Sequence, residues 1–158
     1  GEPKFNPKAK TAVLLVNGFN GMGLHTLFGI IRLFGDTFKN FIFVQVGIID
    51  AGNFKGTEEV DNLHNFVRVD LDRYVTFMKK HGFYAEGISD IGVDVVEELT
   101  RMAPEILKRF PNAIFFGGQL IFPVDSFVLR VLHNHTVFAL QKRLYFQGIP
   151  FVILPIRV

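Results

Sequence analysis

Three glycines, Gly18, Gly21 and Gly23, follow the apolar run at residues 11–16. Glycines at such a turn allow backbone amides to approach an anion at the start of a helix. Their spacing, Gly-x-x-Gly-x-Gly, differs from the dinucleotide-binding order, and no acid follows the next apolar run until Asp50. A tight strand-to-helix turn would call for the same glycines. A second pair, Gly117-Gly118, precedes Gln119. The amides of Asn17 and Gln119 could read a base or another amide, or could satisfy loop backbone.

Other reactive residue types lack productive spacing. His133 and His135 flank Asn134, and residues two apart on a helix point to different sides, so no metal site is expected. His25, His64 and His81 are scattered and read as surface or helix-end residues. Asp70 and Asp72 point apart on a long helix beside Arg68 and Arg73, which reads as a solvated face. Ser89 and Ser126 are the two serines, neither in a Gly-x-Ser-x-Gly elbow, and no lysine follows a glycine loop as a phosphate-binding turn requires. Hydrolase and kinase readings therefore lack residues to carry them. Gln141, Lys142 and Arg143 make the last helix locally basic, which suits a lipid head group, a phosphate or a solvated helix end.

The elements that would position these residues alternate. The apolar run 11–16 reads as a buried strand, and Leu24, Leu27, Phe28, Ile31 and Phe34 lie at helical spacing behind the glycine turn. Residues 40–49 form a second strand, apolar on both faces as a covered parallel strand must be. A polar loop at 50–56 leads to Thr57 as N-cap of a long helix with Val60, Leu63, Val67, Leu71, Tyr74, Val75 and Met78 in one stripe. Residues 83–91 make a weaker strand suited to a sheet edge. A third helix is capped by Asp90 or Asp94, buries Val95, Val96, Leu99, Met102, Ile106 and Leu107, and should kink at Pro104. The fourth strand is read at 113–116, with Gly117-Gly118-Gln119 as the turn after it. A helix from Asp125 to Phe146 would bury Phe127, Val128, Val131, Leu132, Phe138, Ala139 and Leu144. The last strand, 150–158, contains Pro155, which cannot donate to a ladder and so belongs at an edge.

The pattern βαβαβαβαβ, with right-handed crossovers, predicts an α/β domain: a single doubly wound parallel sheet of five strands. With the order 3-2-1-4-5, ligands would collect between strands one and four, where residues 17–21 would face residues 117–119. Residues 1–10 carry three lysines and two prolines without periodicity and read as a linker, leaving 11–158 as the domain. Gly1 could be a cloning remnant.

Composition narrows the classes. A chain of 158 residues, 49% hydrophobic and 20% charged, is one globular domain. The absence of cysteine excludes disulfides and thiolate chemistry. A net charge of +2 is too small for a phosphate-backbone footprint, so nucleic acid is not an expected partner. The apolar runs are too short to span a bilayer. Phenylalanine is abundant, 19 against 3 Tyr and no Trp, which suits a Phe-packed core or an aromatic interface.

Two resemblances extend this reading. The five-unit layout, with a strand after a glycine-bearing fourth βα turn, resembles the universal stress protein family, which implies the 3-2-1-4-5 order. Nucleotide-binding members have an acid at the end of strand one and Gly-x-x-Gly-(nine)-Gly-Ser/Thr after strand four. Here Asn17 stands at the first position, Leu120 replaces the second glycine, and Thr136 follows His135 rather than Gly. No cofactor is therefore expected, adenine nucleotide being the one candidate. The stretches at 2–21 (EPKFNPKAKTAVLLVNGFNG), 117–123 with Phe116 (FGGQLIFP) and 134–158 (NHTVFALQKRLYFQGIPFVILPIRV) resemble the soluble C-terminal tail of bacterial permeases of the amino acid–polyamine–organocation family.

The resemblance to the permeases implies a non-catalytic accessory or regulatory domain at the cytoplasmic face of the inner membrane, contacting the membrane part of its parent. The ligand-binding candidates are Asn17, Gly18, Phe19, Asn20, Gly21, Gly117, Gly118, Gln119 and Thr136. The apolar strand VILPIRV motivates a homodimer through the last strand. A free-standing nucleotide-binding stress-type protein is the alternative, and an enzyme on this fold a third, for which the crevice offers only Asp50 and the histidines.

Overall fold

A computed structural model describes residues 1–18, 20–50, 52, 56–121 and 127–157, and their side chains except those of 119–121, 127–134, 156 and 157. The strands are β1 (Lys10–Leu15), β2 (Phe38–Ile48), β3 (Tyr84–Gly92), β4 (Ala113–Ile121) and β5 (Phe151–Arg157). The helices are α1 (Gly21–Phe34), α2 (Thr57–Lys80), α3 (Val95–Arg109) and α4 (Phe127–Phe146). All pairings are parallel, in the order β3-β2-β1-β4-β5. The expected sheet and strand order are the observed ones.

Alternate residues of the central strands feed two apolar layers. Ala12, Leu14, Phe41 and Phe43 pack toward α1 and α2 with Leu27, Ile30, Leu71 and Met78. Val13, Ile42, Val44 and Phe115 pack toward α3 and α4 with Leu99, Met102, Ile106 and Leu140. Burial on both faces explains why β1 and β2 read as continuous hydrophobic runs rather than alternating ones. The phenylalanines divide: Phe38, Phe41, Phe43, Phe115 and Phe116 are buried, whereas Phe66 and Phe146 are about 70% exposed on helices (68% and 73%).

Several local expectations change. The α2 cap is Gly56, with φ 112° and no side-chain capping bond, so Thr57 is the first helical residue rather than the N-cap. Asp94, not Asp90, caps α3 by accepting from the Glu97 amide at 2.9 Å. Asp90 instead pairs with Arg101, which also meets Glu98 at 2.7 Å. Pro104 sits inside α3, which remains one helix. A proline cannot donate to the carbonyl four residues back, and that carbonyl, on Thr100, accepts from Gln147 Nε2 at 3.4 Å. Among the described side chains of α4 the buried residues are Val137, Leu140 and Leu144, while Phe138 is exposed and Ala139 half-buried. Asp125 and the side chains of Phe127, Val128, Val131 and Leu132 lie outside the described residues.

Residues 1–10, expected as a linker, make specific contacts with the sheet. Asn40, fully buried on β2, accepts from the Asn6 amide at 3.0 Å and donates to the Asn6 carbonyl at 2.8 Å. Its amide nitrogen also lies 3.2 Å from the Thr11 hydroxyl. Phe5 inserts edge-on between Tyr84 and Phe110, and Asn112 donates to the Pro7 carbonyl. Replacing Asn40 by Ala removes three bonds and leaves the Thr11 hydroxyl buried without this partner, so Asn40→Ala should lower unfolding free energy by about 1–3 kcal/mol. A urea midpoint within error of wild type would show that the Asn6 contacts do not hold the segment.

Candidate functional site

The carboxyl ends of β1 and β4, where strand order reverses, border a partly open cavity of about 270 Å³. In an open parallel sheet this is where ligands collect. Val16, Val44, Val46 and Ile48 form its floor from the ends of β1 and β2, Val95, Leu99, Val137 and Leu140 close it from α3 and α4, and Met22 and Thr26 come from α1. Asn17, Gly117, Gly118 and Thr136 also line it. These four expected site residues therefore come together across one crevice.

The other expected residues separate. Gly18, Asn20 and Gly21 are not part of the cavity wall. Phe19 and the side chain of Gln119 lie outside the described residues. Gly18 has φ 84°, a conformation that favours glycine. Asn20 caps α1: its Oδ1 accepts from the Gly23 amide at 3.1 Å and its Nδ2 donates to the Asn17 carbonyl at 2.7 Å. Gly21 and Gly23 belong to the first turn of α1 rather than to the loop. Gly117 and Gly118 lie within β4, which runs on to Ile121, instead of forming the turn after it. The requirement for glycine at 117 is steric. A Cβ there would meet the Phe151 ring on β5 at 2.6 Å.

The turn after β1 is held by two residues that its own sequence does not contain. Gln45, buried on β2, accepts from the Gly18 amide at 3.0 Å. Tyr74 of α2 donates to the Gly18 carbonyl at 2.7 Å and stacks on Phe43 with ring centroids 4.8 Å apart. A Cβ on Gly23 would overlap the Tyr74 hydroxyl and lie 2.9 Å from its Cζ. Gly23 is thus required by the tyrosine. Burial pushes the Tyr74 phenol up to about 12; the Asp70 carboxylate adds to the rise, and a backbone hydrogen bond at Asn20 opposes it. Asp70 approaches the turn from α2, its Oδ2 lying 3.6 Å from where a Gly18 Cβ would sit. It is half-buried rather than part of a solvated face, whereas Asp72 pairs with Arg68 at 3.7 Å.

Reading the sequence alone misses Gln45, Tyr74 and the valine floor. Gln45 does leave a signal, as the single polar residue inside the apolar run at 41–49. Tyr74 is legible only as a member of the buried α2 stripe. His25, His64 and His81 are exposed, as expected of surface or helix-end residues, and His135 is exposed as well. Among the described residues no group of three or more His, Asp or Glu side chains could hold a metal, and no helix is long and apolar enough to cross a membrane. The basic run on α4 is partly engaged: Gln141 donates to the Phe151 carbonyl at 3.0 Å and Arg143 pairs with Glu97 at 2.9 Å.

No protein-family model and no curated protein sequence matches the chain. Among solved structures the fold is similar to that of a universal stress protein family member from Burkholderia pseudomallei. The likeness has a TM-score of 0.62 at 19% identity and covers 93% of this chain and 96% of that one. The fold is universal stress protein-like.

Two measurements check the clamp. Gly23→Ala should cost about 1–3 kcal/mol by overpacking, and Tyr74→Phe about 1 kcal/mol by removing the bond to Gly18. The double variant should cost less than the sum, because Phe lacks the overlapped oxygen; strict additivity in urea titrations would exclude the contact. The pH dependence follows from the raised phenol. Above pH 10 the unfolded chain releases the Tyr74 proton that the folded chain retains, so stability falls from pH 10 to about 12 and then levels. Tyr74→Phe should flatten that decline.

Proposed function

We propose that this chain is a non-catalytic regulatory domain of an amino-acid permease, lying at the cytoplasmic face of the inner membrane. Occupancy of the crevice between β1 and β4 biases its docking on the membrane part or its pairing with a second copy. The observation that carries the reading is the make-up of the crevice wall. Val16, Val44, Val46, Ile48, Val137 and Leu140 can hold a ligand by contact and carry no proton or nucleophile to a reaction. The permease parent is supported by the stretches at 2–21 and 134–158 that resemble the tails of such transporters.

Pairing through β5 is supported by its position. It is an edge strand, and its apolar residues Val152 and Ile153 are half-buried. Pro155 interrupts the edge without removing its other donors.

The second reading is a free-standing stress-type protein that binds adenine nucleotide. It is favoured by the fold likeness over nearly the full length of both chains and disfavoured by Asn17 and Leu120 at positions where the family resemblance implies an acid and a glycine.

The coding sequence ahead of Gly1 discriminates the two. The permease reading expects apolar helices of membrane-spanning length in the same frame; an initiation codon with none upstream would sink it. Deleting the domain from the full transporter should change amino-acid uptake kinetics, and identical uptake with and without it would count against regulation. For the pairing, sedimentation at tens of micromolar should return about twice the 17.9 kDa of one chain. A monomer mass would remove the β5 dimer.

A further inference from the structure

We infer that the crevice takes an uncharged, predominantly apolar small molecule, such as a single aromatic or branched aliphatic group, rather than a nucleotide or a free amino acid. The inference rests on the reading of the crevice as a ligand site and specifies the chemistry of its occupant.

Three observations converge. The first is the wall itself: Val16, Val44, Val46, Leu99, Val137 and Leu140 surround about 270 Å³, and no charged side chain is among the described lining residues. A phosphate or an ammonium–carboxylate pair placed there would lose its water without gaining a counter-charge from this wall.

The second is that three amides at the turn and the start of α1 are engaged internally. An anion at a helix N-terminus needs free amides. The Gly18 amide is held by Gln45 at 3.0 Å and the Gly23 amide by Asn20 at 3.1 Å. The Leu24 amide donates to the Asn20 carbonyl at 3.1 Å. Thr26, which lines the cavity, donates its hydroxyl to the Met22 carbonyl at 3.0 Å.

The third is electrostatic. The Asp70 carboxylate approaches Gly18, beside the cavity wall, and its negative charge disfavours a phosphate over that turn. A neutral apolar group avoids both costs and gains from contact with the valine floor.

The test is calorimetric titration of the chain with indole, AMP and leucine, on wild type and two variants. Ile48→Trp adds bulk to the cavity from a lining residue that is 44% exposed, and Leu33→Trp places the same bulk at an exposed position of α1 outside the cavity. Indole should bind saturably, bind at least about tenfold more weakly to Ile48→Trp, and bind unchanged to Leu33→Trp. AMP and leucine should give no heat above dilution. AMP or leucine binding more tightly than indole would overturn the ligand class while leaving a ligand site in place. No binding by any of the three would remove the ligand site along with the class. Indole binding that Ile48→Trp leaves intact would place the occupant elsewhere and overturn the inference.

Discussion

Burial of β1 on both faces is the constraint from which the rest of the molecule follows. A strand at the centre of a parallel sheet has no solvent side. Val13 and Leu14, adjacent in sequence, must therefore each find an apolar layer, one against α3 and α4 and the other against α1 and α2. A chain leaving such a strand has to turn sharply to reach the covering helix. The turn here is made at Gly18 with positive φ and closed by Asn20 as N-cap. Because β1 also lies where strand order reverses, the same turn borders the crevice. Architecture and candidate site thus share a single local solution.

That solution is secured from outside the turn. Gln45 and Tyr74, 27 and 56 residues away from Gly18, occupy its amide and its carbonyl. Buried backbone groups need partners. In a phosphate-binding turn part of that need is met by the ligand. Here the amide and carbonyl of Gly18 are met by β2 and α2 without a ligand. The bulk of Tyr74 in turn requires a residue without a side chain at Gly23, so a glycine spacing suggestive of an anion loop has a packing origin in its third member.

The sequence made the sheet readable because burial on two faces leaves a strong trace. Residues 12–16 are apolar throughout and 41–49 are interrupted by Gln45 alone, and the α2 stripe through Val67, Leu71, Tyr74 and Met78 is buried as its spacing indicates. Order 3-2-1-4-5 was legible from the alternation of elements together with the family resemblance. Three things were not. Gly117 looked like the end of β4, since glycine usually punctuates; it lies inside the strand, paired with β5, and is a glycine because Phe151, 34 residues later, lies over it. The face of α4 was misplaced at Phe138, because its apolar residues go nearly all round and give no clear stripe, leaving packing against α3 to bury Val137 and Leu140 instead. The apolar lining of the cavity left no trace for a different reason, although its place at the strand-order reversal was expected. Its walls are ordinary core residues, and only the tertiary arrangement leaves space between them.

The last distinction separates fold from function. A universal stress protein-like fold places a crevice at the strand-order reversal whatever lines it, so the likeness in architecture carries no ligand with it. What the lining does is decided residue by residue. At the carboxyl end of β1 stands Asn17, neutral and exposed, and beneath it Val16, Val44 and Val46 make a floor that rewards apolar contact. The amides of Gly18 and Gly23 are bonded to Gln45 and Asn20, and the Asp70 carboxylate beside Gly18 carries the wrong sign for a phosphate. The same scaffold can therefore retain a pocket while exchanging its chemistry, because the pocket is a consequence of strand order and the chemistry is a consequence of a few side chains at the strand ends.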